Sequence, residues 1–418
     1  FLGDSITHQC LYTQYVEDFF YTRYPDRRVR FHNAGVSGDK AADAIARFDE
    51  DVAALKPKYV TLLLGMNDGQ YEPFKEETFA AYAAGMSQLL DRIAAIGATP
   101  IVLSPTNFDH RQLALRKQDP AYRFRERPFD PNYNCLLAYF GGWLRERAGE
   151  RGFPFVDLWG PLNDATFDLR QSGEPDFTLV PDAIHPGGAG QFIMAYELLS
   201  NLTPDRRAVS AINIVPAANG KWRGSGAGQV SDLTVSTAKD RVEFTFLAPA
   251  LPWVVPEQPY AKDEVKWECK PYAALGYKLT SAGHRLSNER LRVAGLAAGN
   301  YQIHIDEKPV GKPVSHLTLG AKVELQSWAD TPQYQQALRV AELNRERNTI
   351  AILPLRDAWS QVKRIRKKFE SDPGGFATAF EQLKPQIEKL KALAAEFEAK
   401  IYEAAKPVLR KYAIVRVQ

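Results

Sequence analysis

The sequence predicts an α/β fold: a small doubly wound parallel sheet, followed by a β-rich module and a C-terminal helical hairpin. Three observations carry this reading. In the first half, apolar runs of strand length alternate with amphipathic helical stretches, the signature of strands joined by crossover helices. From about residue 208 the apolar period shortens to two. Beyond residue 331 it lengthens again to the spacing of a helix.

In chain order, Phe1-Leu2 reads as the last piece of a strand leading to Gly3-Asp4-Ser5, so further residues are expected upstream. A signal peptide among them would send the protein to the periplasm or outside a bacterial cell, and localisation is left open. Further strands are expected at Val29 to His32, Tyr59 to Leu64, Pro100 to Ser104 and Pro154 to Leu158. Helices are expected where Leu11, Tyr15, Val16 and Phe19 share a face, then over Ala42 to Leu55, Phe79 to Ile96, Cys135 to Ala148 and Gly188 to Leu202, with Pro204-Asp205 as the stop. This places a first domain at 1–203.

The β-rich module, 204–330, shows Val242, Phe244 and Phe246 alternating with Glu243 and Thr245, and Tyr301, Ile303 and Ile305 alternating with Gln302 and His304. Its Trp222, Trp253, Trp267 and Tyr260 are candidates for a sugar platform, although the area an aromatic buries favours packing. In the last segment, 331–418, Phe376, Phe380, Leu383, Ile387, Leu390, Ala394, Phe397 and Ile401 step by four and three, a heptad seam. Leu355, Trp359, Val362 and Phe369 supply a partner stripe, and Asp372-Pro373-Gly374-Gly375 a turn, so an antiparallel hairpin is expected. Such a seam closes within one chain or between two, which leaves a homo-oligomer through these helices open. Pro385 is expected to kink the helix or mark its start, and the basic run Lys363 to Lys368 to be a solvated face.

Composition narrows the partners. The 418 residues, 45% hydrophobic and 25% charged, fit a globular protein of two or three domains. With 53 basic and 50 acidic residues the net charge is only +3, which offers no electrostatic footprint for nucleic acid or a membrane surface. Cys10, Cys135 and Cys269 are odd in number and far apart, so neither a disulfide framework nor a metal cluster is expected. No apolar run approaches the roughly 20 residues of a membrane span. The expected partner is a neutral or modestly charged small molecule or carbohydrate.

Four short stretches carry chemistry. Ser5 sits where a strand turns into a helix, the place of an N-cap or of a nucleophile raised above a sheet edge. A serine hydroxyl needs a base, and His185 is the candidate, with Asp182 three residues earlier to fix its tautomer. Taken alone, Asp-x-x-His is a surface loop or half a metal site; no second ligand pair accompanies it, so no metal is expected. Acyl transfer also builds charge on the former carbonyl oxygen. The backbone N–H groups of Ser5 and Gly38 and the side-chain amide of Asn67 are the candidate donors, though singly Gly38 is a turn glycine and Asn67 a loop asparagine.

Together, Gly3-Asp4-Ser5-Ile6-Thr7, Asn33-Ala34-Gly35-Val36-Ser37-Gly38-Asp39, Gly65-Met66-Asn67-Asp68 and Asp182-Ala183-Ile184-His185-Pro186 resemble the four blocks of the SGNH (GDSL-type) hydrolases. The resemblance covers about residues 1–203. It implies a flavodoxin-like three-layer α/β/α sandwich, with Ser5 as nucleophile, Ser5, Gly38 and Asn67 as the oxyanion hole, Asp182 and His185 completing a triad, and no cofactor. Met66 departs from the residue many members carry, which touches pocket shape rather than mechanism. The family spans carbohydrate acetylesterases, lysophospholipases, thioesterases and lipases. Removal of small acyl groups, chiefly acetyl, from a carbohydrate is the expectation, because an aromatic β-rich module accompanies the catalytic domain and no exposed apolar lid is evident. A lysophospholipase- or thioesterase-type short-chain acyl esterase is the alternative. A glycan-binding or assembly protein with vestigial hydrolysis is the reading from another class.

Overall fold

Short apolar runs β1 (Leu2–Gly3), β2 (Ala34–Gly35), β3 (Tyr59–Leu63), β4 (Thr99–Leu103) and β5 (Phe155–Val156) pair in parallel in the order β2-β1-β3-β4-β5. The structure is a computed structural model that describes residues 1–203, 208–262, 265 and 267–417. This order is the flavodoxin-like one, in which connections leave β1 in opposite directions and open a crevice at its carboxyl end. Ser5 follows β1 at that point. Helices α1 (Ser5–His8), α2 (Leu11–Arg23), α3 (Ala41–Ala46), α4 (Phe48–Asp51), α5 (Glu76–Ala95), α6 (His110–Arg116), α7 (Tyr133–Glu150), α8 (Trp159–Gln171) and α9 (Gly188–Leu202) complete the domain. Four of the five residues of β3, and of β4, are buried, as strands covered on both faces require.

Two expectations shift here. Val29 to His32 is not a strand: β1 pairs with Ala34 and Gly35 instead. Val29 has another partner, donating its N–H to the Tyr402 hydroxyl (2.7 Å) while that hydroxyl donates to its carbonyl (2.8 Å). The helix over Ala42 to Leu55 breaks into α3, α4 and a 3₁₀ turn at Ala53–Leu55. Arg47 lies at the first break, its guanidinium bonded to Asp39 (2.8 Å), Asp51 (2.6 Å) and the Ala34 carbonyl (2.7 Å). The expected stop at Pro204-Asp205 lies outside the described residues.

The period-two region folds as β6 (Ser210–Pro216), β7 (Trp222–Ser225), β8 (Gln229–Val235), β9 (Arg241–Leu247), β10 (Glu289–Val293), β11 (Asn300–Ile305), β12 (Lys308–Ser315) and β13 (Val323–Glu324). Two sheets result, β13-β10-β6-β7 and a second built on β12, β11, β9 and β8. Ile212, Ile214, Leu291 and Val293 of the first meet Phe244, Tyr301 and Ile303 of the second in one core, a β-sandwich. Between β9 and β10 the chain leaves the sandwich, forms α10 (Ala273–Leu279) and α11 (Ala282–Leu286), and lies over the first domain. There Trp253 is buried against Phe19 and Phe192, and the Tyr260 hydroxyl donates to the Gln9 carbonyl at 2.7 Å. Trp222 packs beside the sandwich core.

After α12 (His316–Ala321), helix α13 (Pro332–Arg347) passes through a π-helical turn, Asn348–Ile352, into α14 (Leu353–Lys368). The turn ends two residues before Pro354, which has no N–H to give. Helix α15 (Pro373–Ala404) starts at a cap made by Asp372, whose carboxylate accepts from Gly375 N–H at 2.9 Å. Pro385 therefore lies inside it rather than at its start, on an exposed position. The seam closes within the chain: Ile387, with Phe376, Phe380, Leu383 and Leu390 beside it, packs on Leu355, Trp359 and Val362. The segment 331–418 is not helical to its end. Arg410–Val417 forms strand β14 between β11 and β9, burying Tyr412 and Ile414 in the sandwich core. Its alternation is short and follows a much longer helical pattern. No helix among the described residues is long and apolar enough to cross a membrane.

The helices dock on the first domain through buried polar groups. Arg347 and Asn348 donate to Glu17 (3.2 and 3.0 Å), and Asn344 to Asp18 (2.8 Å). Arg356, wholly buried, forks onto both carboxylate oxygens of Asp51 and donates to the Gly35 carbonyl at 2.9 Å. Burial alone would raise the Asp51 carboxyl, but Arg356, His32 and Arg47 hold it well below the usual carboxylate range. A carboxyl depressed on folding stabilises the native state above its unfolded pKa, and that contribution fades as the pH falls below about 4. Arg356→Ala leaves Asp51 short of a buried partner and is expected to lower unfolding free energy by about 3–5 kcal/mol in a urea titration at pH 7. The deficit is expected to shrink in titrations below pH 4.

Candidate active site

Ser5, Asp182 and His185 converge at the β1 crevice. His185 Nε2 lies 2.8 Å from Ser5 Oγ, and His185 Nδ1 lies 2.7 Å from Asp182 Oδ2. The other Asp182 oxygen accepts the backbone N–H groups of Ile184 (3.0 Å) and His185 (2.7 Å), so the carboxylate is locked facing the imidazole. Burial would raise Asp182, yet His185 and these N–H donors hold it below the usual carboxylate range. A carboxylate at Nδ1 fixes the proton there and leaves Nε2 to accept from the serine. The loop bends through Ala183 at φ +73°, a left-handed conformation rare outside glycine and asparagine.

The oxyanion candidates are laced to this frame. Val36 to Asp39 form a turn closed by Asp39 N–H on the Val36 carbonyl at 3.1 Å, with Gly38 at φ +74° in the position that demands a positive angle. Asn67 follows β3 and donates from Nδ2 to the Asp39 carbonyl (3.1 Å) and Asp4 Oδ2 (3.3 Å), while its Oδ1 accepts from the Tyr71 hydroxyl (3.2 Å). Asp4 caps α1 through Ile6 N–H at 2.9 Å. Burial pushes the Asp4 carboxyl up to about 7, against the pull of that bond and of His185. Asp68 accepts Ala41 N–H at 2.8 Å at the start of α3, and burial likewise lifts it to about 6.

Sequence reasoning missed several residues here. Asp4 and Tyr71 hold Asn67, and the former stands inside the first block. Trp267, expected to pack rather than to form a sugar platform, proves half-buried with its ring 5.2 Å from that of His185 in a T-shaped contact. It reaches there because the Cys269 and Pro271 carbonyls accept the N–H groups of Gly188 and Ala189, both at 2.7 Å. A Cβ on Gly187 would stand 2.5 Å from the Lys270 carbonyl, so this close approach needs glycine. The basic run is not merely solvated: Lys363 pairs with Asp39 (3.0 Å) and Asp43 (3.2 Å), and Arg366 with Glu50 (3.3 Å). Beside the His185 loop an open groove of about 500 Å³ is lined by Trp267, Glu268, Lys270, Tyr272, Arg116 and Pro181, among others. No group of three or more His, Cys, Asp or Glu among the described residues is arranged to hold a metal.

A flavodoxin-like sheet carrying a Ser–His–Asp relay at its switch point defines an α/β/α hydrolase. Residues 1–192 match the family model for the GDSL-like lipase/acylhydrolases. An acetylxylan esterase of Geobacillus stearothermophilus is 27% identical over 197 residues, 46% of this chain and 80% of the relative. The crystal structure of Axe2, an acetylxylan esterase of the same organism, is 26% identical, covering 48% of this chain and 92% of its own with a TM-score of 0.38. A gut microbial diltiazem-metabolizing enzyme, 22% identical, shares the fold over 100% of this chain and 96% of its own with a TM-score of 0.79. Residues 1–192 form a GDSL-like, or SGNH, hydrolase domain, and the protein is an SGNH-type esterase.

Asp4→Ala removes a cap and an anchor of Asn67 and is expected to cost about 1–2 kcal/mol of stability in denaturant unfolding. The isosteric Asp4→Asn, which still accepts from Ile6 N–H, is expected to cost less in the same measurement.

Proposed function

We propose that this esterase removes small acyl groups, chiefly acetyl, from a carbohydrate through an acyl-enzyme on Ser5. The observation that carries the mechanism is the continuous relay from Ser5 Oγ through His185 to Asp182, at 2.8 and 2.7 Å. His185 takes the serine proton as Oγ attacks the acyl carbon, and the Asp182 carboxylate stabilises the imidazolium. The tetrahedral oxygen is received by the Ser5 and Gly38 N–H groups and by the Asn67 amide, which turns one N–H toward it from the 3.3 Å bond with Asp4. His185 then protonates the leaving alcohol, and water activated by the same ring releases the acid. Ser5 and His185 are only 6% and 5% exposed, which favours a short acyl chain over one that needs a long channel.

The alcohol leaves beside the His185 ring, which Trp267 meets in a T-shaped contact at 5.2 Å. An indole beside a groove lined by charged and aromatic groups suits a sugar, whose C–H faces stack on aromatics while its hydroxyls take hydrogen bonds. The acetylxylan esterase relative supports the same substrate class.

The test is acyl release from acetyl, butyryl and octanoyl p-nitrophenyl esters and from acetylated xylo-oligosaccharides. Acetyl is expected to be preferred, with Ser5→Ala and His185→Ala losing at least about a thousandfold in kcat and Asp182→Asn a comparable amount. Octanoyl preference would move the substrate to lipids, and an absence of Ser5-dependent turnover on every ester would overturn the mechanism. Trp267→Ala is expected to raise KM about three- to tenfold for the acetylated oligosaccharide and less for p-nitrophenyl acetate.

A further inference from the structure

His8, the last residue of α1 and three positions beyond Ser5, is 4% exposed. Its Nδ1 lies 3.3 Å from the Ser37 backbone nitrogen and 3.1 Å from Ser37 Oγ. A backbone N–H only donates, so Nδ1 carries no proton and accepts. The ring proton is then on Nε2, which faces Asp357 Oδ1 of α14 at 3.4 Å. Trp267 stands against the same ring at 6.2 Å between centroids. The groups facing His8 are thus Ser37 and Asp39 on the oxyanion loop, Arg356 and Asp357 on α14, and Trp267 on the insert. Burial, joined by Arg356, holds His8 below the usual histidine range against the pull of Asp357 and Asp39, in keeping with the neutral ring that the Ser37 bond requires.

We infer that His8 is a positioning residue for the oxyanion hole: by accepting Ser37 N–H it orients the turn that presents Gly38. The inference rests on the acyl-enzyme mechanism proposed above. Ser37 directly precedes Gly38, so its amide and the Gly38 amide flank a single Cα. The turn has a second anchor in Asp39 N–H on Val36, and Lys363 holds the Asp39 carboxylate from α14. Without the bond at His8, the turn keeps its closure and loses the contact that sets its tilt toward α1. A mis-tilted Gly38 N–H matters only once the oxygen has moved to its tetrahedral position, so the cost falls on kcat and leaves KM nearly alone.

The experiment compares His8→Phe, which keeps a ring without an acceptor, with His8→Asn, whose Oδ1 takes the place of Nδ1. Ser37→Pro removes the donor from the other side, at a turn position that accepts proline. Rates on p-nitrophenyl acetate are expressed per site titrated by a fluorophosphonate that labels Ser5, so misfolded protein does not count. His8→Phe is expected to lower kcat about ten- to a hundredfold with KM held within about threefold, and His8→Asn to stay within about fivefold of the parent kcat. Ser37→Pro is expected to match His8→Phe, and the double variant to lose no more than either alone, because both remove one bond.

A His8→Phe kcat within about twofold of the parent, equal losses in His8→Phe and His8→Asn, or losses that multiply in the double variant would each overturn the inference while the triad stands. A parent protein with no Ser5-dependent turnover would overturn the inference and the proposed mechanism together.

Discussion

A buried ionic cluster beneath the nucleophile strand decides how the segments of this chain meet. Asp51 receives Arg47, Arg356 and His32, and Asp39 receives Arg47 and Lys363. The two arginines also cap both carbonyls of β2: Arg47 on Ala34, Arg356 on Gly35. Such a cluster contributes modest net stability, because removing charges from water nearly offsets their attraction. Its geometry is exacting all the same. A guanidinium that must meet two carboxylate oxygens and a carbonyl fits in one pose, and that pose sets α14 against the oxyanion loop.

The consequence is a composite site. The first domain supplies the relay and the proposed oxyanion donors, the insert between β9 and β10 brings Trp267 to His185, and α14 brings Asp357 and Lys363 to the other flank. The β-sandwich and helices are not independent appendages, since β14 threads the end of the chain back into the sandwich after the helices have docked. Two regions outside the family domain therefore bound the site that the family domain carries. Family membership speaks to the reaction type, and these added walls bear on which alcohol the enzyme accepts.

The buried polar lacing around Ser5 follows the same logic on a smaller scale. Asp4, Asn67 and Asp39 come from three of the four blocks and are joined by the Asn67 amide, while Asp68 of the third block accepts the Ala41 N–H just beyond the second. Each loop's conformation is thereby conditional on the others, which is how catalytic groups on loops are held as firmly as groups on strands.

Much of the site was legible in the chain itself because its determinants are local. A serine where a strand turns into a helix at Ser5, a turn glycine at Gly38, an asparagine after a strand at Asn67 and an Asp three residues before a His are short-range patterns, and four of them in order identify the chemistry. The alternation of strand and helix likewise determined the α/β core and the β-rich module, and the heptad spacing the hairpin. Only the tertiary structure decided the strand at Ala34–Gly35, the breaks around Arg47, the strand at Arg410–Val417 and the destinations of Trp267, Lys363 and His8. Those depend on partners up to hundreds of residues away, such as Tyr402 for Val29, Asp39 for Lys363 and Asp357 for His8. Periodicity records which face of a segment is buried, and it carries no record of what the segment is buried against.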